Sequence, residues 1–436
     1  MLNSPVLVAQ VATAFMAGAC SASAGVDQNQ LGRSDPASIM VRFESGAPGR
    51  DLALALIGGC VRREYATIPG LACVSVTTSV DEALGLLEGL PGVLYAEPNY
   101  FVQLTSTPND PSFSRSWGLH NTGQTVNGDP GTPDADIDAP AAWATFTGDP
   151  NMVIAVVDTG VNYNHPDLAA NAWVNTAEIP NNGIDDDHNG YIDDRRGWDF
   201  WNNDNIPMDD QGHGSFCAGV IGAVGNNGVG IAGVNWRCKI MALKFISANN
   251  EGTIEGAVGA IDYAIAKGAR ISSHSWISLY TRALDDCVVA ARAAGHLVVA
   301  GSGNFGTDND AVPYYPAAFP YDNVIAVGGI DNDDAMPAFS NYGAVSVDLV
   351  APAVEVYSCG ITGYFYGTGT SAACPHVAGA AALLLGRTPA LSYAQVRARI
   401  LGTVRYLPQL EGRVATGGVL NLASVVKRQV PRPDLP

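Results

Sequence analysis

Three short segments, far apart in the chain, carry residue types that together can open an acyl bond. The first is Gly369-Thr370-Ser371-Ala372-Ala373-Cys374-Pro375-His376-Val377-Ala378-Gly379, which sets Ser371 at the mouth of an apolar, small-residue helix. A serine hydroxyl is a weak nucleophile by itself. A strand-to-helix junction exposes it, and a helix N-terminus favours negative charge developing beside it. It also needs a base, and a carboxylate to orient that base. Met152-Val153-Ile154-Ala155-Val156-Val157 reads as a buried parallel strand. The strand ends in Asp158-Thr159-Gly160, so Asp158 sits at its carboxyl end, where open α/β sheets place their sites. Gly212-His213-Gly214-Ser215 then opens a further helix and supplies an imidazole. Singly, such segments are more often turns and caps. In the order Asp158, His213, Ser371 they match one of the known chain orders of this constellation.

The elements that must position these residues are legible in the apolar pattern. Strands are expected at Met152–Asp158, Ile240–Phe245, Ile271–Ser275, Leu297–Ala300 and Val324–Val327. Helices are expected near His213–Val224, Ile254–Lys267, Leu284–Ala294, Ser371–Leu385 and Tyr393–Leu401. Gly268 and Gly295 read as C′ glycines. Strand-helix alternation predicts an α/β fold, a mainly parallel sheet with helices on both faces. Before it, strand and helix signals at Ile39–Phe43, Arg50–Leu56, Ala72–Val76, Val80–Leu90 and Val93–Pro98 predict a small α+β unit of βαββαβ type.

The chain resembles the subtilisin-like serine proteases, the subtilase family. The resemblance rests on Val157–Gly160 with His165-Pro166-Asp167-Leu168, Gly212–Ser215, Gly301-Ser302-Gly303-Asn304 and the Ser371 block, and runs from about Pro111 to about Val426. It implies Asp158 as orienting carboxylate, His213 as general base and then acid, Ser371 as nucleophile, and Asn304 as side-chain donor to the oxyanion. Ser275, Trp276 and Ile277 stand where the family has a substrate-binding edge strand. Gly301, Ser302 and Gly303 stand in the wall of its main specificity pocket. Departures are visible: Ser215 for Thr, Phe216 for His, Ile277 for a small residue, and Ala372 for Met. The last predicts resistance to peroxide. Cys217, four residues after His213, falls on the same helix face and resembles the family's thiol-containing branch. Gly92-Val93-Leu94-Tyr95-Ala96-Glu97-Pro98-Asn99 resembles the family's inhibitor propeptide, which acts as folding template and fills the cleft.

These readings divide the chain into a signal peptide (1–24), a linker (25–36), an inhibitor-type propeptide (37–104), a catalytic domain (105–430) and a short tail (431–436). Processing is expected within Phe101–Pro108. The product is expected to be a secreted or periplasmic, self-processing endopeptidase of broad or apolar specificity, monomeric and acting on proteins or peptides. Val6–Ala19 is apolar but too short for a comfortable membrane span, and Ala22-Ser23-Ala24 offers a cleavage site. Cys20 leaves a lipid-anchored form open. A catalytically silent binding protein of the same fold is the alternative from another class. The absence of His-Glu-x-x-His disfavours a metalloprotease. A net charge of −19 disfavours a nucleic-acid partner.

The acidity is concentrated. In Asp185-Asp186-Asp187-His188-Asn189-Gly190-Tyr191-Ile192-Asp193-Asp194, residues Asp185, Asp187 and Asn189 take positions 1, 3 and 5 of a calcium loop. Gly190 follows at 6, the Tyr191 carbonyl at 7 and Asp193 at 9, while Arg196 replaces the usual Glu at 12 and Asp194 is expected to close the shell. Structural calcium is therefore expected here. Asp110, Asp167, Asn226 and Asn227 lie where the family often has further calcium ligands. Of the eight cysteines, Cys60 and Cys73 flank a turn as a candidate pair, and Cys217 and Cys374 are the expected free thiols.

Overall fold

Along the strand Gly148–Asp158 successive side chains enter different cores. Ile154 and Val156 pack on one side, Ala155 and Val157 on the other. A strand buried on both faces needs helices above and below it, and that requirement sets the architecture. The computed structural model describes residues 34–44, 49–100 and 106–427. The expected signal peptide, residues 25–33 of the linker, residues 101–105 and the tail lie outside the described residues. The chain separates into two units, Met1–Phe101 and Val102–Pro436.

The first unit runs β1 (Ser34–Phe43), α1 (Arg50–Leu56), β2 (Cys60–Glu64), β3 (Leu71–Ser75), α2 (Val80–Leu87) and β4 (Val93–Tyr100). Its four strands pair in the order β2-β3-β1-β4, all antiparallel, over a core of Ile39, Val41, Phe43, Ile57, Val74 and Leu87. Ser79 caps α2 by accepting the Glu82 N–H. Ser34–Pro36, expected in the linker, already belong to β1. The candidate pair Cys60–Cys73 is not formed: the register puts Cys60 opposite Ser75 and Arg63 opposite Cys73, and both cysteines are free. A cross-strand disulfide needs its Cβ atoms to face each other, and this register keeps them apart.

The second unit is built on a nine-stranded sheet. After a short hairpin (Thr125–Val126 with Asp129–Pro130) and a short helix (Ala139–Trp143), its strands and α-helices run β5 (Gly148–Asp158), β6 (Gly197–Asp199), α3 (His213–Gly222), β7 (Arg237–Lys244), α4 (Ile254–Ala266), β8 (Ile271–His274), α5 (Arg282–Ala293) and β9 (Leu297–Gly301). There follow β10 (Val324–Ile330), β11 (Leu349–Pro352), β12 (Val356–Cys359), β13 (Tyr364–Gly367), α6 (Thr370–Arg387), α7 (Tyr393–Leu401), β14 (Arg405–Tyr406), β15 (Gly418–Val419) and α8 (Leu422–Val426). The sheet order is β14-β15-β11-β10-β9-β8-β5-β7-β6, parallel throughout except for β14. α3 and α6 share one core with Ile154 and Val156, α4 packs on Ala155 and Val157, and α5 packs on Val298 and Val324. The α/β class and the two-faced helix cover are as expected. Gly268 and Gly295 have φ of 80° and 76°, the left-handed conformation of a C′ residue. No helix among the described residues is long and apolar enough to cross a membrane.

Candidate active site

β5 delivers Asp158 at its last position, 1 % exposed. α3 begins at His213. Close approach of the two elements depends on glycine: a Cβ on Gly214 would lie 2.0 Å from the Gly160 carbonyl oxygen. His213 Nδ1 then stands 2.7 Å from Asp158 Oδ1. The carboxylate can only accept, so Nδ1 donates and Nε2 is left as the acceptor. Asp158 Oδ1 also accepts the Thr159 N–H at 2.7 Å, whereas Oδ2 is buried without a hydrogen-bond partner. An unsatisfied buried acceptor costs about 1–3 kcal/mol. Burial, the largest influence on the imidazole, opposes its protonation. The charge and hydrogen bond of Asp158, aided by Asp209, outweigh it, so the His213 pKa is raised above its ordinary value.

Ser371 is the second residue of α6, so its N–H has no partner within the helix. Its carbonyl is unusual for a different reason. Pro375 lies four residues on and has no N–H to donate back. Ser275 Oγ donates to that carbonyl instead at 3.0 Å, and the Cys217 thiol does so at 3.5 Å. The Ser371 hydroxyl in turn donates to the Ser275 carbonyl at 3.1 Å. Asn304, just beyond β9, accepts the Thr370 N–H at 2.8 Å and the Thr370 hydroxyl at 3.0 Å through Oδ1. His213, Asn304, Ser371 and Ala372 line one cavity of about 370 Å³, walled by Phe216 and Phe365. A Cβ on Gly367 would lie 2.7 Å from the Phe216 ring, so glycine there is what lets the ring in.

A second cavity of about 460 Å³ shares His213 with the first and is lined by Thr159, Phe245, Ile246, Ser275, Trp276 and Ile277. Trp276 is anchored, its indole N–H donating to the Val157 carbonyl at 3.0 Å. Gly301 and Ser302 are fully or nearly buried. The Ser302 hydroxyl turns inward to the Asn341 carbonyl at 3.0 Å, and the Gly303 N–H donates to the Thr370 hydroxyl at 3.1 Å. This segment therefore fixes Asn304 against Thr370, and the Ser302 side chain faces the interior rather than a pocket. Cys217 is buried, and burial followed by the Asp158 charge pushes its thiol well above the ordinary range, so it stays protonated.

In the acidic loop the structure draws together Glu178, Asp187 and Asp194, with carboxylate oxygens within 4.8 Å of one another. Asn175 donates to Asp187 at 2.9 Å and to Asp194 at 2.6 Å, and the Lys267 ammonium contacts both acids. Asn189 donates to Asp194 at 2.6 Å. The Asp185 carboxylate turns onto the N–H groups of Asn189 and Gly190, and that of Asp193 onto Asn182 and Gly183. The Tyr191 ring packs against Trp198, Phe200 and Tyr263. Asp187 Oδ1 is buried without a partner. Glu178 precedes the loop by seven residues and no ligand spacing marks it in sequence. It accepts the N–H groups of Asp186, Asp187 and Asp193, which pins the loop. Elsewhere, Asp110 accepts the N–H groups of Asn226 and Asn227, and Asn227 donates to Asp167 at 2.8 Å, so that expected group is assembled. Burial, then the nearby Asp167, raises the Asp110 pKa against the opposing hydrogen bonds.

Sheet, helix N-termini and the acid–imidazole pair together define an α/β protein with the makings of a serine-hydrolase site. Residues 149–423 match the Subtilase family and residues 36–99 the Fervidolysin N-terminal prodomain. The chain is 35 % identical over 352 residues to a thermophilic serine proteinase of Bacillus sp. (strain AK1), covering 79 % of this chain and 77 % of that one. It is 37 % identical over 300 residues to thermitase of Thermoactinomyces vulgaris, covering 68 % and 91 %. Against subtilisin-like protease 1 of Plasmodium berghei it is 33 % identical over 297 residues, covering 64 % of this chain and only 50 % of that one. A solved protease from Pseudoalteromonas arctica PAMC 21717 aligns with a TM-score of 0.58 and 26 % identity, over 74 % of this chain and 99 % of that one. The chain belongs to the subtilase family. It is a subtilisin-type serine endopeptidase with an inhibitory prodomain, acting on protein substrates.

Proposed function

We propose that Asp158, His213 and Ser371 form the catalytic triad and Asn304 the oxyanion donor of a secreted, calcium-stabilised endopeptidase made as a self-cleaving zymogen. One observation carries this reading: the 2.7 Å acid–imidazole bond beside a cavity that also holds Ser371 and Asn304. In acylation the Ser371 hydroxyl leaves the Ser275 carbonyl and hands its proton to His213 Nε2 as Oγ bonds to the substrate carbonyl carbon. The oxyanion meets the Asn304 amide and the Ser371 N–H. His213 then returns the proton to the departing amine as the C–N bond breaks. Water repeats the sequence in reverse on the acyl-enzyme, with His213 again as base. Ser275, Trp276 and Ile277, with the backbone of Gly301, Ser302 and Gly303, hold the acyl side of the substrate. Phe245, Ile246, Ile254, Trp276 and Ile277 in the wall of the second cavity favour apolar substrate side chains.

The oxygen-rich acidic loop suits a hard divalent cation. Asp185, Asp187, Asn189, the Tyr191 carbonyl, Asp193 and Asp194 would hold calcium, with Glu178 joining them. The unpartnered Asp187 Oδ1 supports that fit. A bound cation would neutralise the clustered carboxylates, and Asp194, bonded to Tyr263 of α4, would link the site to that helix. A second ion is proposed at Asp110, Asp167, Asn226 and Asn227. Processing is placed between Phe101 and Pro108, the segment that contains the boundary between the two units. A fluorophosphonate probe with peptide mapping tests the assignment: label on Ser371 is expected, and label on another serine contradicts it.

A further inference from the structure

The N-cap position of α3 is Gly212, at φ 107°, and offers no side chain to the helix. The three leading N–H groups are nevertheless all taken by side chains. That of His213 donates to Gln211 Oε1, that of Gly214 to Thr159 Oγ1 and that of Ser215 to Asp209 Oδ2, each at 2.8 Å. Asp209, 3 % exposed, stands behind this arrangement. Its Oδ1 accepts the Thr159 hydroxyl at 2.9 Å, the Gln211 N–H at 3.0 Å and the Gly212 N–H at 2.8 Å. Thr159 directly follows Asp158. One buried carboxylate therefore ties the strand end that carries the orienting acid to the helix start that carries the imidazole. A neutral cap such as Ser or Asn would serve a helix start as well. Desolvating a full charge for that purpose points to a use for the charge.

We propose that Asp209 is a positioning residue for the His213 imidazole, acting through Thr159 and the first turn of α3 and by its charge on the protonated ring that forms during turnover. The proposal rests on His213 being the base. Asp158 from β5 and Cys217 from α3 itself lie within 4.8 Å of the ring, and Asp209 stands behind the first turn of α3, bonded to Thr159 and to backbone N–H groups rather than to the ring. The neighbouring Asp210 is neutralised by Lys244, whose buried ammonium donates to it at 2.7 Å and to the Thr159 and Ile246 carbonyls at 2.8 Å. Against the burial that opposes protonation, Asp158 is the dominant raising influence on His213 and Asp209 a further one.

The test is the pH profile of kcat/KM for Asp209→Asn, prepared from the full chain beside the parent and normalised by fluorophosphonate titration of Ser371. The expected result is a fall of about tenfold in kcat with little change in KM, and an acid limb moved to lower pH. A purely structural cap would reduce the titratable fraction and leave the limb in place. A normalised variant with the parent's kcat and acid limb overturns the proposal. Thr159→Val provides a second arm should Asp209→Asn yield no folded enzyme. It breaks the hydroxyl link but keeps the charge, so kcat falls while the limb stays. Parent-like kcat in that arm also overturns the proposal. His213→Ala, run in parallel, separates the two readings: parental turnover there sinks the assignment of the base itself.

Discussion

Asn304 and Thr370 are locked by one oxygen. Asn304 Oδ1 accepts both the backbone N–H and the hydroxyl of Thr370, at 2.8 and 3.0 Å. An amide oxygen that accepts twice fixes which way the amide nitrogen points, and Asn304 lines the cavity beside Ser371. As the proposed oxyanion donor, that amide would be set before substrate arrives, which would make it useful in the transition state. Replacing Asn304 by Leu is expected to lower kcat about 10²–10³-fold with little effect on KM, a scale measured on a subtilisin and not obtained from this geometry. Steady-state kinetics on a peptide substrate decides it. An equal loss in KM would mean that the amide binds substrate rather than the oxyanion.

The histidines carry pKa shifts of opposite sign, and both predict a loss as pH falls. The His213 pKa is raised, and the base must be neutral, so kcat/KM falls as pH drops through that raised value. Burial pushes His274 down to about 3, and His296 and His376 down to about 4. These three stay neutral in the folded protein, while the unfolded chain protonates them below about 6.5. Folded-state stability is therefore lost as pH falls from there toward 4. Thermal melts of the Ser371→Ala protein, which cannot digest itself, should show Tm declining across that window. A flat Tm would contradict the neutral buried assignment.

Removing calcium should loosen the acidic loop. Binding to the folded state alone adds about 2.7 kcal/mol when free calcium is a hundredfold above Kd. Chelator should then lower Tm by several degrees in the same inactive variant, and Asp187→Asn should shrink the difference. An unchanged Tm would show that the Lys267 ammonium, which already contacts Asp187 and Asp194, suffices alone.

Much of this site was legible because its chemistry sits on regular elements. Asp158 ends an unbroken apolar strand, and Ser371 and His213 open small-residue helices whose periodicity is plain. What escaped notice lacks such a signature. β2 reads as exposed and polar, so no apolar run announced it, and β6 is only Gly197–Asp199. The Ser275–Ser371 exchange depends on Pro375 removing a helical donor, a consequence visible only once α6 and the end of β8 meet. Asp209 did carry a signal: an acid shortly before a Gly-His-Gly helix start is a capping pattern. Glu178 carried none, since loop spacing cannot point to a ligand outside the loop. The inward turn of Ser302 was equally hidden, being set by Asn341 some forty residues away.

Cys217 gives a chemical handle on the same centre. Its sulfur lies within 4.8 Å of ligand atoms on Asp158 and His213 and donates to the Ser371 carbonyl. Because burial keeps the thiol protonated, iodoacetamide should react slowly. A mercurial that reaches it should inactivate the enzyme by displacing the imidazole, and Cys217→Ala should resist. Equal inhibition of that variant would move the sensitive thiol elsewhere.

The most direct measurement is peptide hydrolysis and self-processing by full-length Ser371→Ala beside the parent, with calcium supplied. The account predicts that the parent cleaves itself between Phe101 and Pro108 and turns over substrate. The variant should remain unprocessed and lose about 10⁶-fold in kcat, the scale known for subtilisin rather than one read from this structure. Turnover by the variant at the parent's rate would contradict the assignment of Ser371 as nucleophile.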